Sequence, residues 1–364
     1  APGQEPVYRY SWGRQNWFAR SAEEHRAVRE DVGLFDQSSF AKLRLEGRDA
    51  GAALGRLCAG DVDVPVGRIV YTQMLNRHGG IECDLTVTRL GDDAYLVVTA
   101  AAAATHDTAW IRRNLGEARA VLTDVTAATA VLGVMGPRSR DLLARLTGAD
   151  LSAAGFSYLT SREVWLASAP VRASRVTYVG ELGWELYVPA EFAAGVYDAL
   201  VEAGQDLGLA HAGYHAMDSL RIEKAYRSWG HDIGPEDTPP QAGLGFAVRL
   251  DKAAPFIGRE ALLALRDRPL SRRLLVFTLE DPDPLLYHDE PIWRDGALVG
   301  RITSGAYGHT LGRAVGLGYV AHPDGVTDAF IASGRWELEV AGERLPARAQ
   351  LAPPYDPKSI RVRG

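Results

Sequence analysis

Apolar and polar positions change period repeatedly along the chain, and those changes predict a mixed fold. Ala19 to Val32 is charged with helical spacing, and Gly33 is expected to end that helix; Lys42 to Glu46 then alternates like a half-buried strand. Over the next strand the alternation is strict. Ile81, Cys83, Leu85 and Val87 fall on one face and Glu82, Asp84, Thr86 and Thr88 on the other, because strand side chains point alternately to opposite sides. Gly91-Asp92-Asp93 reads as the turn into Tyr95 to Val98, so Asp84 is expected on the polar face of a hairpin. Ala190 to Leu207 and His215 to Ser228 carry helical spacing, strands are expected over Tyr178 to Val188, and Ala100 to Ala104 reads as a helix start. Beyond Pro269 the helical pattern yields to short runs punctuated by Gly296, Gly300, Gly305, Gly312, Gly334 and Gly342, which predicts a C-terminal all-β domain.

Size and charge narrow the function. At 364 residues the chain exceeds the roughly 250–300 residues at which a single core stops growing, so two or three domains are expected. Forty Lys and Arg against 46 Asp and Glu leave a net charge of −6, which gives no positive field for a nucleic acid backbone. The longest apolar stretch, Tyr95 to Ala104, falls short of the ~20 residues a membrane helix needs. Cys58 and Cys83 are too few for a disulfide framework and neither belongs to a CxxC pair. With no secretory signal visible at the N-terminus, a cytoplasmic location is expected.

Many chemical signatures are missing. There is no GxxxxGK[ST] loop, no GxGxxG after an early strand and no HExxH, so a P-loop nucleotide, a Rossmann dinucleotide or flavin, and a zincin metal are unsupported. Gly243-Leu244-Gly245 and Gly316-Leu317-Gly318 read as turns, and His211 with His215 is a bare i, i+4 pair without a third ligand; no metal site is expected. Cys83 with His78 is a conceivable nucleophile pair, but Cys83 shares its strand face with Leu85, where a thiol is inert. Two segments carry more chemistry. Tyr71 to Asp84, YTQMLNRHGGIECD, gathers an aromatic, an amide, a flexible Gly-Gly pair and a carboxylate, although an ordinary hairpin with a solvated acid would read the same way. Tyr178 to Glu185, YVGELGWE, sets a tyrosine and two acids, Glu181 and Glu185, among glycines.

Together with WGRQNWF (Trp12 to Phe18), Glu24-His25, GLFDQSSFAKL (Gly33 to Leu43), VMGPRSRDLL (Val134 to Leu143), AMDSLRIEKAYRSWGHDI (Ala216 to Ile233), SGAYGHTLG (Ser304 to Gly312) and PPYDP (Pro353 to Pro357), these segments resemble a folate-binding family. It is that of the glycine-cleavage T-protein (aminomethyltransferase). The likeness is closer still to the folate domain at the C-terminal end of dimethylglycine and sarcosine dehydrogenases and oxidases. The resemblance implies an α+β, three-domain cloverleaf with a C-terminal β-barrel-like domain and tetrahydrofolate in a central channel. On that layout, residues 1–48 and 127–265 form a discontinuous first domain, 49–126 a second carrying the Asp84 hairpin, and 266–364 the β-rich third.

Carried over by motif, Asp84 is the catalytic carboxylate beside folate N10, Tyr71 and Tyr178 line the cofactor site, and Glu185 reads the donor edge of the pterin. The residue types suit those roles. A carboxylate accepts a pair of adjacent N–H groups, and it can take the proton or offset the charge that develops as a folate amine captures a one-carbon unit. Ala100 stands where the T-protein has Asn, and Met217 where it has the Arg before Asp-Ser-Leu-Arg, departures that suit the dehydrogenase branch. The K-G-C-x-G-Q-E signature of iron–sulfur assembly relatives is replaced by YVGELGWE.

The expected function is a tetrahydrofolate-dependent one-carbon transferase that captures the methylene of an N-methyl-amine-derived imine as 5,10-methylenetetrahydrofolate. Its partner would be a flavin-dependent amine oxidase or dehydrogenase, with no flavin on this chain. Direct demethylation of an N-, O- or S-methyl donor and a non-catalytic folate-binding module are the alternatives.

Overall fold

The structure is a computed structural model that describes residues 7–9 and 13–364, so Trp12 of the first motif lies outside the described residues. Helix α1 (Phe18–Glu30) presents Ser21, His25, Val28 and Arg29 as its buried stripe, a helical spacing filled mostly by polar residues where a core-facing helix usually carries apolar ones. The chain passes through β1 (Val32–Asp36) and crosses to β2 (Ala41–Glu46), α2 (Ala50–Leu57), β3 (Ile69–Leu75), β4 (Ile81–Arg89), β5 (Ala94–Thr99), α3 (Ala104–Leu115) and β6 (Val121–Asp124). It returns through β7 (Thr129–Met135), α4 (Ser139–Ala144), β8 (Ser161–Leu166), β9 (Ala169–Ser174), β10 (Gly183–Pro189), α5 (Ala193–Gly204), β11 (Leu209–His211) and α6 (Tyr214–Glu223). The C-terminal part holds β12 (Arg272–Leu279), β13 (Pro291–Arg294), β14 (Ala297–Gly308), β15 (Arg313–Ala321), β16 (Trp336–Val340) and β17 (Glu343–Gln350).

These strands form a six-stranded sheet in the order β11-β1-β7-β10-β9-β8, a five-stranded sheet in the order β3-β4-β5-β2-β6, and a closed barrel, β12-β15-β14-β13-β16-β17. The even positions of β10, Trp184, Leu186 and Val188, bury into a core with Leu142 and Leu200. Leu45, Leu54, Leu85, Val97 and Ile111 build the core of the second sheet. On the opposite face of β10, Tyr187 packs with Leu96, Val98 and Val131, so an apolar seam joins the two sheets. Among the described residues no helix is long and apolar enough to cross a membrane.

Several local expectations change. Helix α1 stops at Glu30, where the Asp31 N–H closes on the Ala27 carbonyl at 2.8 Å, and Gly33 lies inside β1. A Cβ at Gly33 would stand 2.4 Å from Val28 Cγ2, so the glycine permits close packing of helix on strand rather than ending the helix. Lys42 is wholly buried in β2, its Nζ donating to the Ser38 and Thr129 carbonyls at 2.8 Å each, and burial lowers its pKa. Helix α6 ends at Glu223 rather than Ser228 because Ala225 adopts φ +54°, a left-handed conformation that terminates helices. Strand β10 starts only at Gly183, after a bend that includes Gly180 at φ +82°. Gly316-Leu317-Gly318 is strand, not turn; a Cβ on Gly318 would meet Ile292 Cδ1 at 2.7 Å, so its absence leaves that space to a barrel side chain. His211 and His215 occupy β11 and α6 respectively, not one helix face.

Candidate functional site

The pairing of β3 with β4 sets Gln73 opposite Asp84, with Tyr71 two residues back on the same face. Gln73 Nε2 donates to Asp84 Oδ1 at 2.9 Å, while Gln73 Oε1 is buried without a partner. Asp84 is therefore not the ordinary solvated acid of a surface hairpin. Desolvation dominates its titration; hydrogen bonds from Gln73 and Tyr71 and the positive charge of Arg227 pull the other way, and the carboxyl settles at about 6. Tyr71 is pushed well above its usual value by burial and by Asp84. Asp84 and Tyr71 nevertheless retain some accessible surface, so both side chains are strongly desolvated yet still reachable. Exposed Phe246 stacks toward Tyr71, ring centroids 6.2 Å apart, so an accessible aromatic lies beside the buried tyrosine.

The reversal at Ala225 brings a second wall to this place. Tyr178 donates its hydroxyl to the Arg227 carbonyl at 2.8 Å and stacks on Tyr226 at 6.1 Å. Burial raises Tyr178, and the Asp84 charge adds to the effect. Asp84, Tyr71 and Tyr178 thus share one electrostatic neighbourhood with Arg227, a residue that the sequence did not single out.

Glu185 stands apart from them. It faces the seam side of β10, accepts a 2.7 Å hydrogen bond from Tyr187 at Oε2, and is raised by burial, with that bond opposing. Across the strand pair it sits opposite Gly133, and a Cβ on Gly133 would come 2.4 Å from Gln37 Oε1. Gln37 Oε1 is buried and has no partner. The missing Cβ at Gly133 thus makes room for Gln37 Oε1, a buried acceptor without a donor, on the neighbouring strand to Glu185. Nothing in GLFDQSSFAKL signalled Gln37 individually; only the register of β7 and β10 shows it.

Glu181 is fully engaged elsewhere. It pairs with Arg29 (3.1 Å) and Arg361 (2.7 Å) and accepts from Tyr355 (2.6 Å). Arg29 also reaches Glu223 at 2.9 Å. Burial disfavours the Glu223 charge, but His25 and Arg29 outweigh it and hold the group at about 2. Segments Glu24-His25, YVGELGWE, AMDSLRIEK and PPYDP thus meet in a buried ion network that ties α1, α6 and the C-terminal tail together.

One set of potential metal-ligand atoms exists among the described residues, Cys83, His106 and Asp107, all within 4.8 Å of one another. Each is already engaged. His106 bonds Asp107 at 3.0 Å and Glu82 at 3.2 Å, Asp107 accepts from Thr99 at 2.5 Å, and burial drives the Cys83 thiol far up. The set is a closed hydrogen-bonded cluster, and Cys83 is no nucleophile.

Comparison with known proteins fits this geometry. Residues 3–252 match the GCVT N-terminal domain and residues 272–356 the glycine cleavage T-protein C-terminal barrel domain. The chain is 48% identical over all its 364 residues to 4-methylaminobutanoate oxidase (formaldehyde-forming) of Paenarthrobacter nicotinovorans, of which it covers 43%. It is 40% identical over 359 residues, 94% of this chain, to mitochondrial sarcosine dehydrogenase of Mus musculus, covering 39% of it. The chain thus spans less than half the length of either relative. The glycine cleavage system aminomethyltransferase T of Bartonella henselae has the same fold, with a TM-score of 0.81 at 24% identity over 96% of this chain and 93% of that one.

Proposed function

Because the chain belongs to the glycine-cleavage T-protein family, we propose that it transfers a one-carbon unit from an N-methyl-amine-derived iminium to tetrahydrofolate, giving 5,10-methylenetetrahydrofolate and the demethylated amine. The observation that carries this reading is Asp84, a desolvated but still partly accessible carboxylate held by Gln73 and Tyr71. We take the two sheets and the barrel as the cores of three domains, 1–48 with 127–265, 49–126 and 266–364, with β2 lent to the second sheet.

The residues present suit a pterin. Glu185 is a buried carboxylate with one donor, Tyr187, and Gln37 Oε1 is a buried acceptor with none; the pterin edge offers adjacent N–H donors that such a pair would accept. Tyr71 and Tyr178 would flank the bound cofactor. Tetrahydrofolate, when bound, supplies nucleophilic nitrogens that accept the carbon. Asp84, ionised at neutral pH yet a stronger base than a solvated aspartate, stabilises a cationic iminium beside it and receives a proton. Burial of the site limits access of water, which would otherwise hydrolyse the iminium to formaldehyde.

Oxidation of the methylated amine falls to a flavin-dependent oxidase or dehydrogenase beyond this sequence. Relatives named for oxidising 4-methylaminobutanoate and sarcosine make an N-methyl amino acid the favoured source, in the cytoplasm or wherever such an oxidase resides. The test mixes the chain with tetrahydrofolate, a flavin-dependent sarcosine oxidase, sarcosine and a formaldehyde scavenger, and follows methylene-folate at early times. Methylene-folate formed above the rate without the chain is expected. Methyl-folate formed from the amine without any oxidase would replace this reading with direct demethylation.

A further inference from the structure

Arg227 is a half-buried cation without a counter-ion among the described residues. Its Nε donates to the Ala242 carbonyl at 2.9 Å and its Nη1 to the Ala225 carbonyl at 2.6 Å, so backbone oxygens fix its orientation and neutralise nothing. The acids that feel its charge are engaged by others: Asp232 pairs with Arg221 at 2.6 Å, and Asp84 accepts from Gln73. No carboxylate among the described residues forms an ion pair with Arg227. Gly243, at φ +70°, leaves room beside Nη2 that a Cβ would invade at 2.6 Å.

A second group points the same way. Tyr319, on β15, is 5% exposed and its hydroxyl has no partner. The Arg272 guanidinium covers its ring at 3.6 Å, and the ring packs in one buried cluster with Ala225, the residue whose carbonyl accepts from Arg227 Nη1. A buried hydroxyl without an acceptor costs stability in the free protein, as does a desolvated cation without an anion. One missing anion would relieve both.

We propose that Arg227 and Tyr319 form a carboxylate-binding site that holds the acid group of an N-methyl amino acid or its iminium while Asp84 faces the cationic nitrogen. This rests on the transferase reading above and names the substrate class of the same site. Such a substrate is a zwitterion, and the site carries the complementary pair: Asp84 negative, Arg227 positive, each within the other's field. The glutamate carboxylates of folate are the other possible source of the anion. They lie a benzoyl group away from the reacting nitrogens, whereas Arg227 belongs to the neighbourhood of Asp84 itself.

The experiment is calorimetric titration of the full chain with 4-methylaminobutanoate and with its neutral amide, each with and without saturating tetrahydrofolate. Tetrahydrofolate is titrated separately, so that failure of the folate reading is seen independently. A charged hydrogen bond of this kind corresponds to about tenfold to a hundredfold in affinity. The wild type is expected to favour the carboxylate probe by that factor. Arg227→Gln should erase the preference, Arg227→Lys should keep part of it, and Tyr319→Phe should weaken the carboxylate probe about tenfold. Tetrahydrofolate affinity should be unchanged in all three, and thermal melts confirm folding. A wild type indifferent to the carboxylate, or an Arg227→Gln variant that keeps the full preference, overturns the proposal. So does an Arg227→Gln variant that loses tetrahydrofolate affinity instead, which would give the cation to folate.

Discussion

Replacing Asp84 by Asn separates its chemistry from its contacts. Asn is nearly isosteric and its side-chain oxygen still accepts from Gln73 Nε2, which lies 2.9 Å from Asp84 Oδ1, so the site should keep its shape. What is lost is the charge and the ability to take a proton. Turnover should therefore fall by roughly 10²-fold or more, the usual size of a general acid–base contribution, with little change in tetrahydrofolate affinity. Stability should move in the opposite direction. The carboxyl is displaced from 3.8 to about 6 in the folded chain, which corresponds to about 3 kcal/mol against its charged form. A raised folded-state pKa contributes stability that is present below 3.8 and is lost as pH rises through about 6. At pH 8 the wild type carries the whole penalty and the Asn variant none of it. Scanning fluorimetry should find the variant melting higher than wild type near pH 8 and alongside it near pH 4, while the scavenger-protected methylene-folate assay reports the loss of turnover. Near-normal turnover would remove Asp84 from the chemistry. A melting difference that is the same at both pH values would show that its burial costs nothing electrostatic.

Glu185→Gln should weaken tetrahydrofolate binding by about tenfold to a hundredfold, the effect of losing a charged hydrogen-bond partner; in the wild type, affinity should decline as pH falls, since burial makes Glu185 take up its proton more readily than a solvated glutamate. Unchanged affinity by calorimetry would move the pterin away from β10. Gln73→Leu removes a donor that lowers Asp84, so the acid limb of the pH–rate profile should shift to higher pH while activity recovers on the alkaline side; an unshifted limb contradicts the positioning role. Arg29→Met leaves Glu223 and Glu181 short of a buried cation and should cost about 3–5 kcal/mol, read as an earlier denaturant midpoint; a loss under about 1 kcal/mol, the scale of a surface pair, would show that the network contributes little to stability.

The alternation of Ile81 to Val87 was enough to put Asp84 and Cys83 on opposite faces of β4, because a strand half-buried on each side cannot slip register without exposing its apolar row. The glycine-punctuated runs after Pro269 likewise announced an all-β part, and its closure as a barrel was implied only by the family resemblance. What escaped notice depends on pairing between distant segments. Gln73 lies in the segment that carried an amide beside the carboxylate, but it becomes a partner of Asp84 only through the β3–β4 register, which shifts at Met74 and Leu75. Arg227 fell within a stretch of helical spacing, and a helix there would have carried it onward along α6; the left-handed backbone of Ala225 turns it back toward the site, a conformation that an alanine does not advertise. The motif around Glu181 was legible as a motif but not as a joint. Its acids and tyrosine look alike on paper whether they meet a ligand or, as Glu181 does, Arg29 and Arg361.

The ionisation of Asp84 depends on segments that are far apart in the sequence and belong to different sheets. A solvated aspartate would be too weak a base to take a proton efficiently near neutral pH, and a buried one without donors would be protonated there and could not stabilise a cation. The value of about 6 lies between these failures. Gln73 and Tyr71 come from β3, beside Asp84 on its own sheet, but Arg227 comes from the segment after α6, outside that sheet. Tyr178, which fixes the Arg227 carbonyl, precedes β10 of the first sheet. The seam of Leu96, Val98, Val131 and Tyr187 joins those two sheets. Loosening it would withdraw the Arg227 charge and admit water to the carboxylate together, so the apolar seam helps set the basicity of a residue it does not touch.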